Sequence, residues 1–231
     1  MIGRVLLPLA ALLPLSADAA RPFVTDDARL TTAGSCQLES WSRIYRDRVE
    51  LWALPACNPA GNLELTAGAG VAKSDGEPGN ADYVFQLKTL FRPLEADDWG
   101  WGLALGTVRH PAVNPGPNLH GNSYAYIPLS VSLADNRVVM HANLGWLRER
   151  RSDRTAMTWG AGAEITLGGR WLGIVETYGD NHDKPFWQFG VRYALVPDRV
   201  QLDATVGRRL SGEEPDRWFS FGLRLTPDRL F

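Results

Sequence analysis

The chain has only two cysteines in 231 residues, Cys36 and Cys57. That excludes a cysteine-rich scaffold and a zinc site built of four thiolates. No sign of charge dominates: 24 Lys+Arg against 26 Asp+Glu leave a formal charge of −2. A general nucleic-acid binder carries a strong basic surplus, so no nucleic-acid partner is expected. Long Ala/Leu/Glu/Lys helical runs are missing after residue 20, and no later stretch is apolar enough for a membrane-spanning helix. Nothing resembles a phosphate loop or a dinucleotide fingerprint. The run Asp180-Asn181-His182-Asp183 lacks the spacing of a calcium loop and a second histidine, and reads as a hydrophilic loop. The residues therefore point to no metal and no cofactor. What is present is 45% hydrophobic content, 23 glycines, 9 Trp, 6 Tyr and 8 Phe. That is too apolar for disorder, and the length suits one domain, two at most.

The N-terminus reads as a secretory signal over residues 1–19. Arg4 supplies the positive region, Val5 to Leu15 the apolar region, and Ala17-Asp18-Ala19 the small-x-small cleavage site. The apolar run is too short for a spanning helix of about 20 residues. The product is then either a soluble exported protein or an outer-membrane barrel. A periplasmic segment is expected over 20–35 and a barrel domain over 36–231.

From Cys36 onward the side chains alternate with period two. In 81–92, Ala81, Tyr83, Phe85, Leu87, Thr89 and Phe91 oppose Asp82, Val84, Gln86, Lys88, Leu90 and Arg92. A helix, with a period of 3.6, would mix these sets. The segments 137–148, 156–167, 186–195, 200–209 and 217–226 alternate likewise, and 36–46, 48–57, 62–72, 99–110, 122–133 and 171–179 have the right length. The expected fold is all-β: a transmembrane antiparallel up-and-down barrel of about twelve strands, an even number as in single-chain bacterial barrels. A soluble β-sandwich is the alternative. Short and long connections are expected to alternate, as periplasmic turns and outer loops do. Trp99, Trp101, Tyr124, Tyr126, Trp146, Trp159, Trp171 and Trp187 fall near strand ends and read as an interfacial aromatic girdle. Cys36 opens the first strand and Cys57 closes the second, so the hairpin sets them opposite each other. In an oxidising compartment a structural disulfide is expected.

After the signal stands Arg21-Pro22-Phe23-Val24-Thr25-Asp26-Asp27-Ala28, followed by Gln37-Leu38-Glu39. This resembles the start of the outer-membrane "MetA-pathway of phenol degradation" proteins and their transporter-like relatives. The resemblance implies an outer-membrane barrel admitting aromatic or other hydrophobic compounds. It carries over no site residues. The compact chain suggests little room for an inserted hatch. Phe231 matches the terminal aromatic residue by which the barrel-assembly machinery recognises its clients, although Pro227-Asp228-Arg229 interrupts a regular last strand.

The inward-facing polar residues form the candidate site. Asp82, Gln86, Lys88, Arg92, His141, Asn143, Glu164, Arg192, Gln201, Asp203 and Arg209 would line a pore and set its selectivity. Alternatively they pair with one another and plug the lumen. His141 and Asn143 lie on one strand face with Ser130 or Ser132 on the preceding strand, the residue types of an acyl-transfer site. An ordinary polar pair is the plainer reading, and no enzyme is expected. Arg148, Arg150, Arg151 and Arg154 form a basic outer loop apt for lipopolysaccharide phosphates. The expectation is a passive channel for a small solute, set among outer-membrane lipid. A closed structural or adhesive barrel and a lipid-modifying barrel remain open.

Overall fold

The computed structural model describes residues 23–74, 79–109, 123–150, 152–210 and 217–231. The expected signal peptide and Arg151 lie outside them. Twelve antiparallel strands close into one barrel: β1 (Ser35–Ile44), β2 (Arg48–Asn58), β3 (Glu64–Ser74), β4 (Asn80–Arg92), β5 (Trp99–Arg109), β6 (Ser123–Leu133), β7 (Val138–Glu149), β8 (Arg154–Gly168), β9 (Trp171–Asp180), β10 (Phe186–Val196), β11 (Val200–Arg209) and β12 (Arg217–Leu225). Each strand pairs with its sequence neighbours, and β1 pairs with β12 from Leu38↔Leu225 to Ile44↔Phe219. Closure leaves no unpaired edge, the condition for strands to stand in lipid.

The alternation decides which side chains meet which solvent. On β4, Tyr83, Phe85, Leu87 and Phe91 are exposed on the outer surface, whereas Asp82, Val84, Lys88 and Leu90 are buried inside. Phe219, Phe221, Leu144 and Met157 continue the exposed apolar belt around the wall. So large an apolar surface on one monomer marks contact with an apolar phase.

The start of β1 and the C-terminus lie at one end, where Gly34 accepts hydrogen bonds from the N–H groups of Leu230 and Phe231. The connections 59–63, 93–98, 134–137, 169–170 and 197–199 share this terminal end; the far end carries 45–47, 75–79, 110–122, 150–153, 181–185 and 210–216. The expected alternation of loop length is clear at 110–122 and after β8 and weak elsewhere, because β3 and β8 extend further toward the far end than their patterns suggested. Cys36 and Cys57 are register partners at the terminal end and are joined by a disulfide.

Three expectations need correction. The segment beginning at residue 20 was set in the periplasm, with little room for a hatch; from Phe23 to Thr31 it runs inside the barrel. It goes there because the lumen of a twelve-strand wall is wider than its own polar side chains fill, and their hydrogen-bonding groups need partners. Tyr124 and Tyr126 are not girdle residues. Their alternation phase points them inward, where Tyr124 is 3% exposed. The other six, including the exposed Trp99, Trp146 and Trp171, stand on the outer face.

Candidate functional site

The internal segment, here the strap, is extended, so its backbone groups need external partners. The barrel wall supplies them from side chains. The Glu176 carboxylate on β9 accepts the N–H groups of Val24 (2.8 Å) and Thr25 (2.9 Å). Asn143 on β7 binds Asp26 twice, accepting its N–H at 2.7 Å and donating to its carbonyl at 2.8 Å. Ser130 Oγ on β6 accepts the Ala28 N–H at 2.9 Å. Glu64 on β3 accepts both the N–H and the hydroxyl of Thr31, and Asn58 Nδ2 donates to the Thr31 carbonyl. Lys88 Nζ sits 2.8 Å from Asp26 and 3.3 Å from Asp27, and Tyr126 donates to Asp26 at 2.7 Å. Two glycines of β8 admit the strap. A Cβ on Gly160 would collide with Thr25, and one on Gly162 would lie 2.6 Å from the Phe23 ring.

The lumen has two storeys. Toward the terminal end it is polar: Arg192 pairs with Glu164 at 2.7 Å, Arg224 donates to Gln37, and Arg29 of the strap lies 3.5 Å from Glu164. Toward the far end it is apolar and aromatic. Trp52, Val84, Val108, Tyr124, Leu147 and Ala156 form one inward cluster, and Tyr45, Tyr178, Phe186 and Trp218 another, against which Val24 packs. Trp52, Tyr124 and Trp218 lie flat over Gly70, Gly106 and Gly207 of neighbouring strands, where any side chain would collide with the ring. A cavity of about 140 Å³ remains beside the strap. Trp41, Trp52, Leu54 and Val84 wall it together with Arg43, Gln86, Lys88, Tyr126 and Arg224. Gln86 Oε1 accepts a hydrogen bond from the Tyr124 hydroxyl at 3.0 Å, and the Tyr126 oxygen, whose proton goes to Asp26, lies 3.1 Å from it. The space suits a small amphipathic molecule.

The model of the family described as "Uncharacterised conserved protein UCP029691" matches residues 8–226. The chain belongs to that family. No curated protein matches it. Among solved structures it is similar to the KdgM porin (8% identity, TM-score 0.61, covering 83% of this chain and 99% of that one). It is also similar to the NanC porin (9%, 0.60, 83% and 100%). The COG4313 outer membrane channel from Pseudomonas putida F1 aligns at 12% identity and TM-score 0.53 over 86% of this chain and 96% of its own. At these identities the likeness is one of fold.

The structure scatters the residues singled out from sequence over three environments. Lys88, His141, Asn143 and Glu164 gather around the strap. Arg192 joins them through Glu164, and Gln86 faces the cavity. Gln201 and Asp203 are buried on β11. Asp82 is buried at the far end and Arg209 sits over the Phe186 ring at 4.4 Å. Arg92 is at the terminal mouth, where its hydrogen bond to Asp98 (2.5 Å) holds that carboxyl below the usual carboxylate range. At the far end Arg154 bonds Asp180 and Asp183 and depresses the Asp183 carboxyl in the same way. The basic loop is partly self-paired, since Arg148 also meets Asp153 at 2.9 Å. Among the described residues no cluster of His, Cys, Asp and Glu could hold a metal.

Ser130 Oγ does lie 2.8 Å from His141 Nδ1, with Glu164 3.8 Å from Nε2. The atoms are those of a nucleophile, a base and its orienting carboxylate. Yet Ser130 is fully buried and its oxygen already accepts the strap's Ala28 N–H. The arrangement works as a docking point. Sequence reading missed the strap's main anchors, Glu176, Glu64 and Ser130 acting together, and the inward aromatics Tyr45, Trp52, Tyr178 and Trp218. The same alternation that placed Gln188 and Ser220 inward also placed Phe186 and Trp218 there.

Proposed function

We propose that this protein is a passive channel of a bacterial outer membrane for small hydrophobic or aromatic solutes, with its terminal end in the periplasm and the strap as a resident lumen plug. The cavity carries the reading: about 140 Å³ beside the strap, walled by Trp41, Trp52, Leu54 and Val84. Its size matches one ring, since an engineered apolar cavity of about 150 Å³ takes up benzene. The inward aromatic storey favours such solutes over hydrated ions, which an apolar constriction rejects by dewetting. The exposed belt of Phe85, Leu87, Phe219 and Phe221 supports the membrane setting. So does the likeness in fold to porins, of which one KdgM structure is described in complex with disordered oligogalacturonate.

The test is uptake of a labelled single-ring phenol by cells with an intact lipopolysaccharide layer, with and without the protein, against a sugar of similar mass. Faster entry of the phenol alone is expected. If a folded, surface-inserted barrel accelerates neither solute, the closed structural barrel is the better reading. The extensive pairing of lumen charges, Lys88 with Asp26 and Arg192 with Glu164 foremost, favours that second reading.

A further inference from the structure

The far-end storey contains hydrogen-bond donors that nothing accepts. Arg43 Nε and Trp218 Nε1 are buried and without a hydrogen-bond partner, and nothing accepts the proton of the buried Tyr45 hydroxyl, whose oxygen faces the Arg43 and Arg48 guanidinium groups. Arg43, Tyr45 and Trp218 are only 3%, 7% and 2% exposed. They are neighbours: the Arg43 guanidinium lies 5.4 Å from the Trp218 ring centroid, and the Tyr45 and Trp218 rings are 6.1 Å apart. Buried donors are nearly always satisfied in folded proteins, so three together call for an acceptor.

The local charge also has a sign. Glu50 is the carboxylate nearest this group, and its Oε1 is taken by Arg48 at 3.3 Å, while its Oε2 has no donor. Arg48 in turn covers the Tyr45 ring at 3.6 Å. The Arg43 and Arg48 guanidinium groups thus both act on this one carboxylate, with Arg48 alone in direct contact with it among the described residues. One carboxylate for two guanidinium groups leaves a buried positive excess, which a bound anion would offset.

Arg43 also lines the cavity beside the strap. Two residues along the same face of β1, Trp41 stacks on Trp52 with centroids 5.7 Å apart and planes 10° from parallel. The cavity therefore offers an aromatic wall at its middle and a planar donor fork at its far end.

We propose that Arg43, with Tyr45 and Trp218, is a carboxylate-binding site, and that the solute of this cavity is a single-ring aromatic carboxylate. The carboxylate takes the guanidinium fork, which suits its planar, two-oxygen geometry. The ring lies along Trp41 and Trp52. This deepens the channel reading by naming the solute's acidic head, and rests on that reading only for transport.

The test measures binding apart from transport. Refolded full-length protein in detergent is titrated with benzoate, benzyl alcohol and acetate, read by calorimetry and tryptophan fluorescence. Benzoate should bind at least about tenfold more tightly than either the neutral ring or the ringless anion, because each lacks one of the two contacts. Arg43→Gln should abolish the preference for benzoate over benzyl alcohol, and Arg43→Lys should keep part of it. If Arg43→Gln fails to refold, judged by heat-modifiable migration, Tyr45→Phe and Trp218→Phe serve instead, and each should weaken benzoate several-fold with benzyl alcohol unchanged. Equal binding of benzoate and benzyl alcohol, no benzoate binding, or full benzoate affinity in these variants overturns the proposal; the last outcome would mean that Arg43 turns to Glu50 instead. Benzoate binding without phenol or benzoate uptake would remove the channel and keep the site. Phenol uptake without benzoate binding would do the reverse.

Discussion

Replacing Glu176 by Ala should free the strap and leave the barrel standing. The carboxylate is 2% exposed, and it accepts the N–H groups of Val24 and Thr25 and a short bond from Gln188. Hydrogen bonds to a charged acceptor contribute ~1.5–3 kcal/mol each, so the two strap bonds amount to about 3–6 kcal/mol. Two effects reduce that. The variant no longer carries the desolvation cost of a buried carboxylate, and the adjacent cavity gives water a path to the freed N–H groups. A net loss of about 2–3 kcal/mol in strap docking is the result, or a ~30- to 150-fold rise in the open population. Amide hydrogen exchange reads this directly, because local opening sets the rate. The amides of Val24, Thr25, Asp26, Ala28 and Thr31 should lose protection by that factor, and β4 and β10 should keep theirs. Glu176→Gln, which retains one acceptor oxygen, should fall between. Strap protection within about twofold of wild type in Glu176→Ala, over an unchanged barrel, would show that Glu176 does not hold the strap.

Gly160→Val with Gly162→Val should expel the strap by volume rather than by lost bonds, because both Cβ atoms would enter space held by Thr25 and Phe23; trypsin should then cut after Arg29 while the barrel resists. Replacing both cysteines by Ser removes a cross-link between residues 21 apart, an effect of slightly over ~3 kcal/mol on the unfolded state, so the temperature of heat-modified migration should fall with the fold intact. The Asp183 carboxyl is depressed by Arg154, so its contribution is present above the unfolded carboxylate range and is lost as pH falls through its lower folded value. Loop 181–185 should therefore become protease-sensitive only in acid below about pH 4, a window set by the ordinary Asp value; loosening already near neutral pH would contradict the pairing.

The wall was legible in the sequence because it depends on a local, two-residue period. Twelve strands and their inward faces follow from which side chain precedes which, and the strand limits differ by only one or two residues at most ends. The Cys36–Cys57 pairing followed from the hairpin, since the strand limits set the register. What fills the lumen is a different kind of fact. The anchors of Val24 lie 152 residues away in Glu176, and those of Asp26 lie 117 away in Asn143. No period links them. Tyr124 and Tyr126 show the same limit from another side: their nearness to a strand end suggested the girdle, and only their phase, which the less regular 122–133 segment obscures, sends them inward. The motif Phe23-Val24-Thr25-Asp26-Asp27-Ala28 carried the family resemblance, and its physical role is that of the strap itself.

The two storeys explain each other. A wall whose inward residues were polar throughout would hold water and conduct ions, as wide porins do. Here the polar half is satisfied by a peptide, whose N–H groups meet Glu176, Asn143, Ser130 and Glu64 in turn. The other half is filled by Trp52, Tyr124 and Trp218 packing onto glycines of neighbouring strands. The strap and the aromatic packing both occupy the lumen, so a solute crossing this barrel would either displace the strap or use the cavity beside it. The first route predicts that Glu176→Ala raises the conductance of small ions. The second predicts that it leaves ring uptake unchanged while Trp41→Ala, which strips the stacked wall from Trp52, alters it. Measuring both variants for ion conductance and for ring uptake separates the routes, because Trp41→Ala leaves the strap's anchors in place and Glu176→Ala leaves the stacked wall in place.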